Sequence, residues 1–147
     1  MKIVRLFIKI FLFVGALGLL HVLAIYFDFY KGKIWIDIPL HILGGIALGF
    51  IWVWILDFRA QNEKEFPGLL LFIFSLFGWV LIFSFAWEAF EFLIRENSPE
   101  LANAWKIYPP NLADTLSDIA FGLLGGFLSG ILSFALRYKK FKNLNQS

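Results

Sequence analysis

The stretch LLLFIFSLFGWVLIFSFAWEAFEFLI, residues 69–94, decides the fold of this chain. It contains no charged residue until Glu88 and Glu91, close to its end. An α-helix rises about 1.5 Å per residue, so a run of this length can cross the roughly 30 Å hydrocarbon core of a bilayer. In lipid a backbone must satisfy its own hydrogen bonds, and the alternation of a membrane β-barrel is absent. The stretch is therefore predicted to be a transmembrane helix.

Three further apolar runs lie at residues 10–27, 34–56 and 112–136. With residues 69–94 they predict an all-α membrane protein, a four-transmembrane-helix bundle formed by residues 1–147 as a single domain. Hydrophobic residues make up 60% of the chain, whereas soluble domains contain about 45–50%. The chain has no cysteine, which excludes disulfides and thiolate metal ligands.

The first apolar run has two interpretations. Lys2, Arg5 and Lys9 precede it, as basic residues precede the apolar core of a secretory signal peptide. No A-x-A-like cleavage site follows, and the run continues through His21 to Phe27. We therefore expect a helix that is retained.

The distribution of Lys and Arg predicts the orientation. Nine of these residues lie on the side that holds both termini, and four lie on the opposite side. By the positive-inside rule, both termini should be cytoplasmic, in a multi-pass protein of the cell (inner) membrane. The net charge of +2 is small and sits at the ends of apolar runs, so nothing supports a nucleic-acid partner. A homo-oligomer is compatible with the sequence.

Glycines recur at a spacing of four residues in two of the predicted helices. Gly45 and Gly49 form one GxxxG pair and Gly126 and Gly130 another, with Gly44, Gly122 and Gly125 beside them. Small residues at this spacing let membrane helices approach closely. The pattern predicts tight helix packing and no chemistry.

Ionisable residues converge on one end of the predicted bundle. They form three pairs at a spacing of three or four, which places each pair on one helix face: Asp37 with His41, Glu88 with Glu91, and Asp114 with Asp118. Counting residues from the helix ends gives a deep layer (His41, Glu88, Asp118) and a shallow layer (Asp37, Glu91, Asp114). A charged side chain at the centre of the bilayer costs at least about 2.5–3.5 kcal/mol of free energy. Such side chains usually face the interior of the helix bundle.

Several carboxylates in a small volume need compensation by protons, by basic residues or by a bound cation. The expected cofactor is a divalent metal ion held by His41, Glu88 and Asp118, with Asp37 beside them. Oxygen and imidazole ligands suit Mg, Mn, Ca, Zn or Fe, and the sequence does not choose among them. The alternative is that these acids face headgroup water or form interhelical hydrogen bonds. Helix-start acids such as Asp37 and Asp114 fit that reading well.

The outer segment 95–111 is rich in proline and aromatic residues. It is predicted either to fold over the bundle as a lid or to form a short interfacial helix near residues 100–106. Arg95, Trp105 and Tyr108 are the expected substrate contacts. On the first helix, His21 and Asp28 share one face, and the sequence does not decide whether they join the site.

Three segments carry a resemblance to a known group. They are Asp37-Ile-Pro-Leu-His41 followed by Gly44-Gly45, Trp87-Glu88-Ala-Phe-Glu91, and Asp114-Thr-Leu-Ser-Asp118 followed by Gly125-Gly126. In order and placement, over about residues 37–126, they resemble the small YjdF-type inner-membrane proteins and the wider VanZ-like group. VanZ-like proteins are associated with resistance to lipid-bearing glycopeptides such as teicoplanin. The resemblance implies an envelope role without naming a reaction.

Three functions follow from these expectations. The first is a metal-dependent site that binds a membrane lipid or lipid-linked amphiphile. In a hydrolase or transferase, Glu91 or Asp114 would be the general base of such a site. The second is a non-catalytic, VanZ-like lipid or glycopeptide-resistance protein. The third is ion or proton transport, which a cluster at one end of four helices favours least.

Overall fold

Helices form almost all of the chain that the structure describes. The computed structural model describes residues 2–30, 37–63, 68–107 and 111–144. These residues form α1 (Lys2–Tyr26), α2 (Asp37–Glu63), α3 (Leu69–Asn97), α4 (Pro99–Ala104) and α5 (Leu112–Leu144), with no strand among them. Four segments are long and apolar enough to cross a membrane: Phe7–Tyr26, Asp37–Phe58, Leu69–Asn97 and Leu112–Leu136. The predicted all-α, four-helix fold is confirmed.

The helices are longer than the apolar runs that predict them. α1 begins at Lys2 and α2 continues to Glu63, while α3 and α5 end at Asn97 and Leu144. Intrahelical hydrogen bonds can continue into polar sequence at a membrane boundary, whereas hydropathy marks only the lipid-facing part. The candidate span within α5 is Leu112–Leu136. The predicted start of the second helix, Ile34, lies outside the described residues.

α2 and α5 run parallel and pack backbone to backbone. A Cβ atom on Gly45 would collide with the carbonyl oxygen of Gly122, and one on Gly125 with the carbonyl oxygen of Ile42. The glycine pattern therefore places two helix backbones in direct contact, as expected for small residues in membranes. Gly44 differs from its neighbour, because nothing lies within 4 Å of the position its Cβ would take.

α3 runs antiparallel to these two helices and packs on the other side of the α5 glycines. Cβ atoms on Gly126 and Gly130 would meet the side chains of Val80 and Leu76. Val80, Leu76, Phe72 and Val53 are almost completely buried and form the core of this half of the bundle. We call the opposite end, where α2 and α5 begin and α3 ends, the site end.

α1 lies along α2. Ala24 is buried, and the rings of Phe7 and Trp54 lie 5.3 Å apart between the two helices. Many apolar side chains of α1 and α3 are exposed on the outside of the bundle. Such a surface suits a lipid environment, because apolar side chains that contact lipid tails are not exposed to water.

Candidate functional site

The helix crossing at Gly45 and Gly122 brings His41 and Asp118 together. Each of these polar residues lies one turn before its glycine on parallel helices, so the close backbone contact places their side chains opposite each other. His41 Nε2 lies 3.7 Å from an oxygen of Asp118. The Asp118 side chain is only 7% exposed.

Asp37 completes a group of three potential ligands. It lies one turn before His41 on α2, and its Oδ1 is 3.5 Å from His41 Nε2. One potential ligand atom from each of Asp37, His41 and Asp118 lies within 4.8 Å of the other two. We call these three residues the triad.

The spacing in the triad fits ligands of one cation. The distances of 3.5 and 3.7 Å exceed the usual 2.7–3.2 Å of a good N–H···O hydrogen bond. Two ligands at about 2.1 Å from an ion, at a tetrahedral angle, are about 3.4 Å apart. The two distances from His41 Nε2 are thus close to a coordinating separation, and all three ligand atoms lie within 4.8 Å of one another.

A cavity of about 350 Å³ lies beside the triad at the site end. Its acidic lining comes from three helices: Asp37 of α2, Glu88 and Glu91 of α3, and Asp114 and Asp118 of α5. Arg95, Trp105 and Lys106 also line it. His41 stands outside the lining, next to Asp37 and Asp118. Seven of the nine side chains predicted for the site thus border one cavity, and Tyr108 lies outside the described residues.

Asp37 and Glu88 do not have the neighbours that the predicted layers gave them. Asp37, predicted in the shallow layer, lies with His41 and Asp118. Glu88, predicted with that pair, instead lies near the Thr115 side chain on the α3–α5 side of the cavity. Counting turns from the helix ends estimates depth, whereas lateral neighbours are fixed by which helices touch. An i,i+4 partner on the same helix is always near.

α1 and the turn after it each contribute one residue to the cavity. His21 Nδ1 and the Tyr30 hydroxyl are 2.8 Å apart, and both residues line the cavity. The His21 ring also meets Trp87 edge-on at 6.5 Å. Burial, then the carboxylates of Asp37 and Glu91, raise the pKa of the Tyr30 phenol above its usual value, so the phenol keeps its proton.

Several cavity residues were not identified from the sequence, among them Thr115 and Tyr30. Thr115 shares a helix face with Asn111, Asp114 and Asp118, and all four line the cavity. The periodicity of that face would have indicated Thr115. Tyr30 lies in the turn after α1, where no pattern indicates a partner.

The segment after α3 lines the cavity, and we call residues 105–107 the roof. α4 is a six-residue helix that begins with Pro99, and Trp105, Lys106 and Ile107 after it line the cavity. Lys106 Nζ is 3.0 Å from Asp28 Oδ1, in the turn after α1. The sequence predicted a lid or a short helix here. The described residues contain the short helix, and the turn after it lines the cavity.

These features define a multi-pass membrane protein with a polar cavity at one end of a four-helix bundle. The chain belongs to the DUF2238 family, described as a predicted membrane protein, whose profile matches residues 1–139. No curated protein and no solved structure matches the chain.

Proposed function

We propose that this membrane protein binds a divalent cation at the triad and uses it to hold the polar headgroup of a lipid or lipid-linked amphiphile in the cavity. The observation that carries the proposal is the ligand spacing in the triad. His41 Nε2 has two carboxylates at 3.5 and 3.7 Å, too far for good hydrogen bonds and suited to a shared ion. Mixed oxygen and imidazole ligands are compatible with several divalent metals.

The cavity walls offer further groups for such a headgroup. Arg95 and Trp105 are suited to contact its anionic and apolar parts, and Tyr108 belongs to the same proposed set. Glu91 and Asp114 line the cavity without belonging to the triad. Either can serve as general base towards a water or hydroxyl activated by the cation, which would make the protein a hydrolase or transferase. Glu88 supports the headgroup from the α3 side.

The relation to YjdF-type and VanZ-like proteins belongs to the same proposal. It rests on the three segments around Asp37, Glu88 and Asp114, and it would make the ligand a lipid of the cell envelope. A VanZ-like protein that binds without catalysis would use the same cavity. Transport is disfavoured because the inner half of the described bundle is filled by Phe72, Leu76, Val80 and Val53.

Elemental analysis and chelation of the purified protein test the cation. We expect about one divalent ion per chain, since the triad offers one set of ligands. At a free ion concentration of about 100 Kd, binding stabilises the fold by about 2.7 kcal/mol. Chelation should then lower the Tm by roughly 5–10 °C, and adding back the ion should restore it. A protein that is purified without metal, and whose Tm is the same in chelator and in added Mg²⁺, Mn²⁺ or Zn²⁺, would contradict the proposal.

We further propose that both termini are cytoplasmic and that the cavity faces outward from the inner membrane. Because the chain lacks cysteine, single substitutions give unambiguous labels. Leu101→Cys on α4 should react with a membrane-impermeant thiol reagent in intact bacterial cells. Ser147→Cys should react only after the membrane is permeabilised. The reverse labelling pattern would mean that both termini face outward and the cavity faces the cytoplasm.

A further inference from the structure

We infer that the cavity is entered sideways from the membrane: an apolar chain of the ligand passes Phe85 and Phe92 while the Asp28–Lys106 ion pair keeps the roof closed to water. This route rests on the proposed function, because it assumes that a headgroup occupies the cavity. It adds the path of entry, the residues that contact the chain, and the contact that closes the aqueous side.

The cavity wall reaches the lipid-facing surface at Phe85. Phe85 lines the cavity, yet it is 65% exposed, and Phe92, two turns further along, is 48% exposed and also lines it. An aromatic ring that borders an interior space and the outside of the bundle marks a place where the two meet. The protein surface at these two rings is apolar, which suits contact with a hydrocarbon chain.

The depth of Phe85 places this opening in the hydrocarbon region. The membrane-spanning segment of α3 is Leu69–Asn97, whose midpoint is residue 83. Phe85 is two residues from that midpoint, about 3 Å along the helix axis. The hydrocarbon core extends roughly 15 Å on each side of its centre, so a bilayer centred on this midpoint would surround the Phe85 side chain with lipid chains.

The turn that follows α4 lines the cavity at the site end. Lys106 Nζ contacts Asp28 Oδ1 at 3.0 Å, which joins this turn to the one after α1. Both residues have a positive φ, 55° for Asp28 and 58° for Lys106. Each follows the end of a helix, where backbone hydrogen bonds from Phe29 to Ala24 and from Ile107 to Ala102 close a left-handed cap and fix the turn. The neighbouring Trp105 ring lies 6.4 Å from that of Phe90 on α3.

The two sides of the cavity therefore favour different ligands. A water-soluble headgroup compound must first displace the roof. An amphiphile in the bilayer can insert its headgroup while its chain stays in lipid, so no apolar surface is transferred to water. The ligand class that fits is an amphiphile already resident in the membrane.

Thiol labelling in lipid nanodiscs of phosphatidylethanolamine and phosphatidylglycerol tests this route. Ala89→Cys reports the cavity wall, Leu101→Cys is the water-exposed control, and Ile82→Cys is the lipid-exposed control. The probes are a charged trimethylammonium methanethiosulfonate from water and a lipid-soluble pyrenyl maleimide. Each rate is normalised to the same variant in SDS, because burial alone slows a thiol.

We expect the charged reagent to label Ala89→Cys roughly tenfold more slowly than Leu101→Cys. The pyrenyl reagent should label it within about threefold of Ile82→Cys. Adding Asp28→Asn or Lys106→Gln should raise the rate of the charged reagent and leave that of the lipid-soluble one unchanged. The two substitutions together should do no more than either alone, because they cut the same ion pair.

Two outcomes would overturn the route. Equal rates of the charged reagent at Ala89→Cys and Leu101→Cys, with the ion pair intact, mean entry from water. Protection of Ala89→Cys from both reagents means that the wall is closed to lipid. Cation content is measured on the same samples: absence of the ion with the expected labelling rejects the proposed function alone, whereas bound ion with water entry rejects the route alone.

Discussion

Replacing Gly45 by alanine is expected to destabilise the bundle by roughly 3 kcal/mol or more, because the new methyl group would collide with the carbonyl oxygen of Gly122. A backbone atom cannot rotate away as a flexible side chain can, so α2 and α5 must separate along their crossing. The measurement is unfolding in mixed micelles of increasing SDS content, followed by far-UV circular dichroism.

The adjacent Gly44 provides the matched control. Its substitution by alanine meets nothing within 4 Å, and alanine is favoured over glycine in helices by up to about 1 kcal/mol. Gly44→Ala should therefore be neutral or slightly stabilising. Because the Gly45 crossing also places His41 opposite Asp118, Gly45→Ala should weaken cation binding as well. If both variants unfold alike, the backbone contact between α2 and α5 is not the one described.

The second large effect concerns which carboxylate belongs to the cation site. Asp37→Asn and Asp118→Asn each keep size and polarity while removing a charged ligand from the triad. We expect each to weaken divalent-cation affinity by at least roughly 100-fold, or about 2.7 kcal/mol, as expected for the loss of a direct ligand. Isothermal titration of the ion-free protein in detergent measures the affinity.

Glu88→Gln is the informative comparison. Glu88 lines the same cavity but lies near Thr115, outside the triad. It should lose less than about tenfold in affinity, as expected for a nearby charge without a bond to the ion. A loss at Glu88→Gln that equals the loss at Asp37→Asn would add Glu88 to the ligand set, and a loss at Glu88→Gln alone would favour His41, Glu88 and Asp118. Circular dichroism of each variant shows whether the fold is kept.

The fold was largely predictable because membrane insertion is encoded locally. A run such as residues 69–94 is apolar enough to identify its own helix, without knowledge of its neighbours. The glycine spacing indicated close packing, yet it did not distinguish Gly45, which touches a backbone, from Gly44, which faces open space. That distinction depends on the rotation of α2 relative to α5, a tertiary property.

The acidic side chains near the cavity could be predicted to converge, whereas their pairing could not. Ionisable residues near the ends of apolar helices avoid lipid by facing the bundle interior, so Glu88, Asp114 and Asp118 were expected to converge. Whether Asp37 or Glu88 joins His41 depends on lateral packing. The contact of Lys106 with Asp28 and that of Tyr30 with His21 each involve a turn, which no periodic pattern describes.

The parallel pairing of α2 and α5 also bears on biosynthesis. His41 and Asp118 are 77 residues apart in the chain. At about 5–20 residues per second, the ribosome makes Asp118 roughly 4–15 s after His41. During that interval α2 must reside in the membrane, or wait at the translocon, with Asp37 and His41 lacking their partner from α5. Completion of the triad thus coincides with arrival of the last helix, and a chain truncated before α5 would present an unsatisfied polar pair to the machinery that inserts and degrades membrane proteins.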